Sequence, residues 1–356
     1  MNIASILQEA LQRGASDIFL VPGAPVTFKV NGSQQRAETP LRPEDTGELV
    51  RQIYQLCGRS AARADSADED DDFSFAERQL GRFRVNVLHQ RGSLAAVIRV
   101  IRFGIPKPEE MHIPPEVMAA AQYQKGLVLV TGSAGSGKST TLACMIDAVN
   151  HTRCGHIITM EDPIEYVHRH DRCIVTQREI YTDAVSYISA LRSALRESPD
   201  VILLGEMRDY ETIETAITAA ETGGLLFSTL HTPGAASTVD RIIDVFPAEQ
   251  QAQVRIQLSM VLRAVISQQL VPAVDGTLLP VFEVMKVNAA IRNLIRESKT
   301  YQLEAAIQAG AGEGMRTMDA SLLALLQAKR ITPETALAHS LSYDAMKRRL
   351  EALGCG

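Results

Sequence analysis

An α/β fold built on a mainly parallel sheet is what this sequence predicts, with a small α+β region in front of it and helices behind. From about residue 112, apolar strand-like runs at 127–131, 156–160, 201–204 and 225–230 alternate with helical patterns that include 183–197 and 210–222. Parallel strands need crossovers of that kind, and the crossover helices cover both sheet faces. In the first of these units, Leu127-Val128-Leu129-Val130 runs into a glycine-rich turn. Leu142, Met145, Ile146 and Val149 then recur at i, i+3, i+4 and i+7, the spacing of one helix face.

The elements follow in chain order. A helix from Ile3 to about Arg13 precedes the strand Ser16–Val21. Val26 to Val30 alternates, and Asn31-Gly32 is a hairpin turn. Pro43 to about Cys57 is helical. Asp65 to Asp72 holds six acidic residues in eight positions and reads as a solvated loop rather than a metal site. Arg82–Leu88 and Ala95–Val100 read as paired strands joined through Gln90-Arg91-Gly92. Gly104-Ile105-Pro106-Lys107-Pro108-Glu109 breaks the pattern and marks a linker. The helix at 210–222 places Ile213, Ala216, Ile217 and Ala220 on one face and stops at Gly223-Gly224. Past residue 286 the pattern is helical only, with Thr332-Pro333 as an N-cap and a first-turn proline. The expected organisation is 1–104, a linker at 105–111, a parallel-sheet domain at 112–285, and its helical part at 286–356.

The turn itself carries chemistry. Gly132-Ser133-Ala134-Gly135-Ser136-Gly137-Lys138-Ser139 fits G-x-x-x-x-G-K-[ST], the phosphate-binding P-loop. Glycines let backbone N–H groups converge on phosphate oxygens, and the new helix points its positive end at the same anion. Lys138 reaches the β/γ-phosphates, Ser139 ligates Mg²⁺ and Thr140 follows on the first turn. The chain is thus expected to bind ATP with Mg²⁺.

Three strand ends join it. Ile157–Met160 leads into Glu161-Asp162-Pro163-Ile164-Glu165, and in a parallel sheet the carboxyl ends of strands face the ligand crevice. Glu165 is placed there to orient or deprotonate the attacking water; an acidic loop capping the next element is an equal reading. Val201–Leu204, Gly205 and Glu206 resemble a Walker B strand, whose acid holds Mg²⁺; Gly205 stands where the direct Mg²⁺ aspartate is usual. His231 follows Ser228-Thr229-Leu230 and could contact the γ-phosphate. A lone histidine is more often structural, but the end of a fourth strand of the same sheet favours function.

Bulk properties bound the rest. The net charge of −6 over 356 residues argues against nucleic acid as the main partner. No apolar run approaches the roughly 20 residues that span a bilayer. The start of the chain shows no basic n-region or apolar h-region, so a cytoplasmic location is expected. The five cysteines, Cys57, Cys144, Cys154, Cys173 and Cys355, form no CxxC pair.

Together these segments resemble the secretion ATPase superfamily of type II secretion and type IV pili, and within it the pilus retraction ATPases (the PilT family). The octet Ala290-Ile291-Arg292-Asn293-Leu294-Ile295-Arg296-Glu297 matches the retraction signature AIRNLIRE. The four-cysteine zinc insertion common in extension and secretion ATPases is absent from the sequence. The resemblance implies a RecA-like P-loop NTPase core, preceded by a PAS-like α+β domain and followed by a C-terminal helical segment. It makes 161–165 the Asp box, Glu206 the Walker B acid and His231 the His box. It further implies charge-neutralising arginines from the N-terminal domain, for which Arg82, Arg84 and Arg99 match by motif or position. It implies partner coupling through Arg292 and Arg296, a homo-hexameric ring, and an inner-membrane pilus platform protein as partner, met from the cytoplasmic face. Departures are Phe19 and Gly224 where histidines are usual, and Ser133-Ala134 in place of Pro-Thr. The rivals are a pilus extension or type II secretion ATPase, opposed by the octet, and a RecA-like nucleic-acid translocase, opposed by the acidic charge. A non-catalytic nucleotide-binding adaptor is opposed by the two acids, Glu165 and Glu206.

Overall fold

The computed structural model describes residues 2–30, 32–60, 70–77, 80–101 and 104–353. The chain divides into two compact units, Met1–Gly104 and Ile105–Gly356.

In the first unit, six strands form one sheet: β1 (Asp17–Leu20), β2 (Pro25–Val30), β3 (Ser33–Pro40), β4 (Asp71–Glu77), β5 (Gly81–Gln90) and β6 (Ser93–Ile101). Their order is β3-β2-β1-β6-β5-β4, and every neighbouring pair is antiparallel. Val30 pairs with Ser33, so the predicted hairpin is two residues long, although Asn31 itself lies outside the described residues. Helix Ile3–Gln12 buries Ile3, Ile6, Leu7 and Ala10, and helix Pro43–Leu56 buries Leu49, Val50, Ile53 and Tyr54. Both pack on inward-facing Ile18, Phe28, Val85 and Ile98. Arg84 and Arg99 are register partners, so period-2 alternation puts both on the sheet's other face.

The acidic run differs from its expected loop. Residues 65–69 lie outside the described residues, but Asp71 and Asp72 begin β4. Asp71 accepts from Tyr54 Oη at 2.8 Å, and Asp72 accepts from Arg84 Nη2 at 2.6 Å. Partners on neighbouring elements hold these two carboxylates in the ladder.

The second unit holds a seven-stranded sheet: β7 (Gly126–Thr131), β8 (Gly155–Glu161), β9 (Cys173–Glu179), β10 (Val201–Leu204), β11 (Leu225–Leu230), β12 (Leu262–Pro272) and β13 (Leu278–Lys286). The order is β13-β12-β7-β11-β10-β8-β9, parallel throughout except for β13. Alternate residues of each strand feed two cores. Leu127, Leu129, Ile202 and Leu204 meet helices Tyr187–Ala194, Tyr210–Thr222 and Ala235–Asp244. Val128, Val130, Val201 and Leu203 meet helix Lys138–Thr152. Sequence reasoning missed β9, β12 and β13, and helix Tyr187–Ala194 is shorter than the expected 183–197. The chain after Lys286 forms helices including Ala289–Arg296, Met318–Gln327 and Tyr343–Ala352. Among the described residues no helix is long and apolar enough to cross a membrane.

One buried acid joins three elements. Glu283 of β13 is 3% exposed. It accepts from the first N–H of helix Ala235–Asp244 (Ala235 N, 2.7 Å) and from that of helix Met318–Gln327 (Met318 N, 3.2 Å). Two helix N-termini thus share one carboxylate, the charge their dipoles favour. Desolvation raises its pKa, and the two N–H bonds oppose that rise. Glu283→Ala orphans both donors at about 1–3 kcal/mol each, part of it offset by removing a buried charge. Urea unfolding should show a loss of about 2–4 kcal/mol, with Glu283→Gln in between; stability equal to wild type would remove the clasp.

Candidate functional site: a P-loop cavity at the strand ends

Register brings the predicted segments together. Thr131 pairs with Leu230, and Leu204 pairs with Ser228 on one side and Met160 on the other. The residues that follow these positions (the P-loop, His231, Gly205-Glu206 and Glu161) therefore emerge at one end of the sheet. They surround a cavity of about 280 Å³ whose walls include Gly135, Lys138, Ser139, Glu161, Glu165, Tyr166, His168, Tyr187, Glu206, Arg208 and His231. A second cavity of about 280 Å³ lies along β13, lined by Leu279, Phe282, Met315 and Arg316; it has no lysine among its walls.

The P-loop is tightly built. Gly137 sits at φ 90°, ψ 16° as the N-cap of helix Lys138–Thr152, a left-handed conformation that a side chain would strain, and no side chain caps the helix. Its first N–H groups therefore face the cavity. A Cβ on Gly132 (φ 137°) would collide with the Gln268 carbonyl of β12. Gln268 Oε1 in turn accepts from Thr141 Oγ1 at 2.8 Å, so β12 braces the first helical turn. Lys138 is 8% exposed, and its Nζ donates to Gly132 O and Ser133 O, each at 2.8 Å. Burial lowers its pKa, while Glu206 and Glu165 favour its charge. Ser136 Oγ is buried without a hydrogen-bond partner among the described residues. A buried hydroxyl left open costs stability, and an anion in the loop would satisfy it.

The carboxylates differ in environment. Glu206 is 8% exposed; Oε1 meets Arg208 Nη2 at 2.6 Å and Oε2 lies 3.4 Å from His231 Nε2. Glu161 Oε1 accepts from Thr159 Oγ1 at 2.7 Å and Gln177 Nε2 at 3.4 Å. Desolvation pushes Glu161 up to about 7, helped by Glu165 and opposed by those two donors. Glu165 itself is exposed on the cavity wall. Thr140 Oγ1 and Tyr166 Oη hydrogen-bond at 2.9 Å, tying the P-loop helix to the strand-end loop. Hard oxygen donors, the Ser139 hydroxyl and the Glu206 carboxylate, line the same cavity, which is the ligand type Mg²⁺ takes.

The departures from the usual pattern have local reasons. A Cβ at Gly205 would come within 2.8 Å of Tyr187 Oη and 3.0 Å of Met160 O, so an aspartate there would have to push the Tyr187 hydroxyl aside. Gly224 precedes β11, at the strand end opposite His231; six residues at about 3.3 Å each put it roughly 20 Å from the site.

Lys138, Ser139, Glu165, Glu206 and His231 thus share the cavity. Arg84 and Arg99 lie in the first unit, where Arg84 pairs with Asp72 at 2.6 Å and Arg99 with Asp17 at 3.1 Å. Arg292 Nε donates to Ser259 O at 3.0 Å, so this guanidinium packs on helix Ala248–Val261, while Arg296 is exposed. Sequence reasoning did not single out Arg208, His168 or Tyr187. Arg208 stands beside the Walker B acid and was open to discovery; the other two lie off any motif.

Comparison with known proteins agrees with this geometry. The family model described as "Type II/IV secretion system protein" matches residues 1–278. The chain is 45% identical over 336 residues to the type IV pilus retractation ATPase PilT of Pseudomonas aeruginosa, covering 94% of this chain and 97% of that protein. It is 43% identical over 347 residues to the twitching motility protein of Neisseria gonorrhoeae, covering 97% and 92%. Its fold matches the crystal structure of the pilus retraction motor PilT with bound ADP at TM-score 0.90 and 44% identity, over 98% of this chain and 99% of that one.

His168 generates a test of the site's electrostatics. It is 7% exposed, its Nδ1 has no partner among the described residues, and desolvation lowers its pKa from 6.5 to about 4. The unfolded chain therefore takes up a proton below pH 6.5 that the folded chain refuses until about pH 4, and stability falls as pH falls through that window. Glu161, raised to about 7, acts in the opposite sense, so wild type must be compared with His168→Asn. Relative to the variant, wild type should lose about 3 kcal/mol between the two pKa values; parallel curves would contradict the buried neutral imidazole.

Proposed function

The chain belongs to the Type II/IV secretion system protein family, and we propose that it is the motor subunit that retracts type IV pili, powering twitching motility by ATP hydrolysis. It is a nucleotide-binding ATPase with a RecA-like core. The observation that carries the reading is one cavity: a P-loop with an open buried hydroxyl and a buried lysine faces two strand-end glutamates and a histidine.

The mechanism is positioning and electrostatics, since phosphoryl transfer asks little covalent chemistry of the protein. The loop amides and Lys138 hold the β/γ-phosphates, for which Lys138 gives up its bonds to Gly132 O and Ser133 O. Ser139 and Glu206 would hold Mg²⁺, which when bound neutralises phosphate charge. Glu165 orients the attacking water, and His231 sits where the γ-phosphate would be felt. The resemblance assigns Arg84 and Arg99 the neutralising of γ-phosphate charge, for which each would give up its aspartate. Residues 112–285 form the ATPase domain, 286–356 its helical part, and 105–111 its linker to 1–104. A homo-hexameric ring would act at the cytoplasmic face of the inner membrane on a pilus platform protein.

Lys138→Ala should abolish hydrolysis. Glu165→Ala and Glu206→Ala should still bind nucleotide and lose at least ~100-fold in turnover, the scale of a positioned acid/base group. A coupled phosphate-release assay checks this, and wild-type turnover in any of the three would refute that residue's role.

The helix Ala289–Arg296 makes a separate prediction. Ile291 and Ile295 are buried, and Arg296 faces solvent. Replacing Arg292 and Arg296 with alanine should leave most basal ATPase activity and stop pilus retraction in cells that make type IV pili. Pili retracting at the normal frequency would leave this helix as packing only.

A further inference from the structure

Both oxygens of the Walker B acid are engaged. Arg208 Nη2 holds Glu206 Oε1 at 2.6 Å, and His231 Nε2 lies 3.4 Å from Oε2. The two partners of this ion pair differ sharply in freedom. The Glu206 side chain is 10% exposed, whereas that of Arg208 is 72% exposed. Glu206 is fixed at the end of a fully buried four-residue strand. Arg208 is anchored only at its backbone, since Asp209 caps the next helix through Thr212 N at 2.9 Å. Its guanidinium stands on a flexible stem in the nucleotide cavity and in the adjoining space of about 500 Å³ that also reaches Thr232 and Arg241. It can leave Glu206 without moving the sheet.

A terminal phosphate is a stronger partner than one carboxylate. It carries more charge and offers several oxygens to the planar guanidinium fork, which binds them in pairs. We infer that Arg208 is the specificity-determining residue that distinguishes nucleoside triphosphate from diphosphate, by exchanging Glu206 for the γ-phosphate. This rests on the ATP-site reading above. With diphosphate bound, Glu206 stays paired and idle. With triphosphate bound, Arg208 swings to the γ-phosphate and Glu206 is released toward the reacting centre. No bond is made or broken in the exchange; one ion pair replaces another. The arrangement ties the availability of the acid to the presence of the bond to be cleaved. The geometry gives His231 the complementary part, keeping Glu206 aimed into the cavity after the arginine has gone.

The test uses the full chain and two variants, Arg208→Ala and Arg208→Lys. Dissociation constants for ADP and for the slowly hydrolysed analogue ATPγS are measured by calorimetry, with and without Mg²⁺, beside kcat and KM for ATP; circular dichroism confirms the fold. In Arg208→Ala, ADP affinity should stay within about twofold of wild type, while the preference for ATPγS over ADP falls about tenfold in both conditions, the scale of one charge-assisted pair. The turnover number should fall at least ~100-fold, and Arg208→Lys should restore part of the preference. An unchanged ATPγS/ADP ratio with ADP binding intact overturns the role of Arg208 and leaves the ATP site standing. Wild-type protein that binds neither nucleotide overturns both.

Discussion

A single desolvated ammonium group sets the terms for the rest of this site. Lys138 is buried at the start of a helix, where only two loop carbonyls at 2.8 Å receive it. Burial weakens its hold on the proton, and Glu206 and Glu165 offset part of that loss. The loop that carries it must turn with no side chain at Gly132 and through a left-handed Gly137, because β12 lies against it. The sheet order then follows as a requirement. With β11 beside β7, and β10 and β8 beyond it, the acids arrive from two and three strands over, close enough to favour the lysine and separate enough to do different work.

From this arrangement the site divides into a fixed half and an adjustable half. The P-loop is braced by Gln268 and by the Thr140–Tyr166 bond. Arg208 and His231 are more open, with side chains 72% and 50% exposed. The segment after His231 is bonded onward: Gly234 N donates to Ser267 Oγ at 2.9 Å and Ala235 N to Glu283 at 2.7 Å, and Glu283 also holds Met318 N. Hydrogen bonds thereby connect the segment after His231 to β12, β13 and the helix that begins at Met318. That is the physical continuity a motor needs between its nucleotide and its C-terminal helices.

The parts legible in the sequence were those written by backbone demands. The P-loop, the four central strands and the helix at 210–222 each carry a periodic or glycine signature that local sterics impose. Of the strands missed, β12 and β13 are joined through Asp275-Gly276, a hairpin signal that went unread, and β9 carries no glycine turn. Leu262–Pro272 follows a helix without a turn signal, and its polar Ser267 and Gln268 serve the site rather than the ladder. At the site, Glu165, Glu206 and His231 were legible because each closely follows a strand end. Glu161 ends one too, but its pKa is raised by burial that the sequence does not show, and Gln177, a donor that opposes the rise, comes from a strand not foreseen. His168 comes from irregular chain and Tyr187 from the first turn of a helix, and only tertiary packing decides that both face the cavity. The absence of a Walker B aspartate was visible in the sequence, while the close approach of Tyr187 and Met160 to Gly205 was not.

The central claim is that this P-loop site turns over ATP as part of a ring. Light scattering and ATPase rate measured on the same samples, across a dilution series of the full chain with Mg²⁺ and ATP, test it most directly. The account predicts a hexamer at high concentration, with activity per chain that falls as the hexamer dissociates. A chain that hydrolyses ATP at full rate as a dispersed monomer, or a hexamer that hydrolyses none, would contradict it.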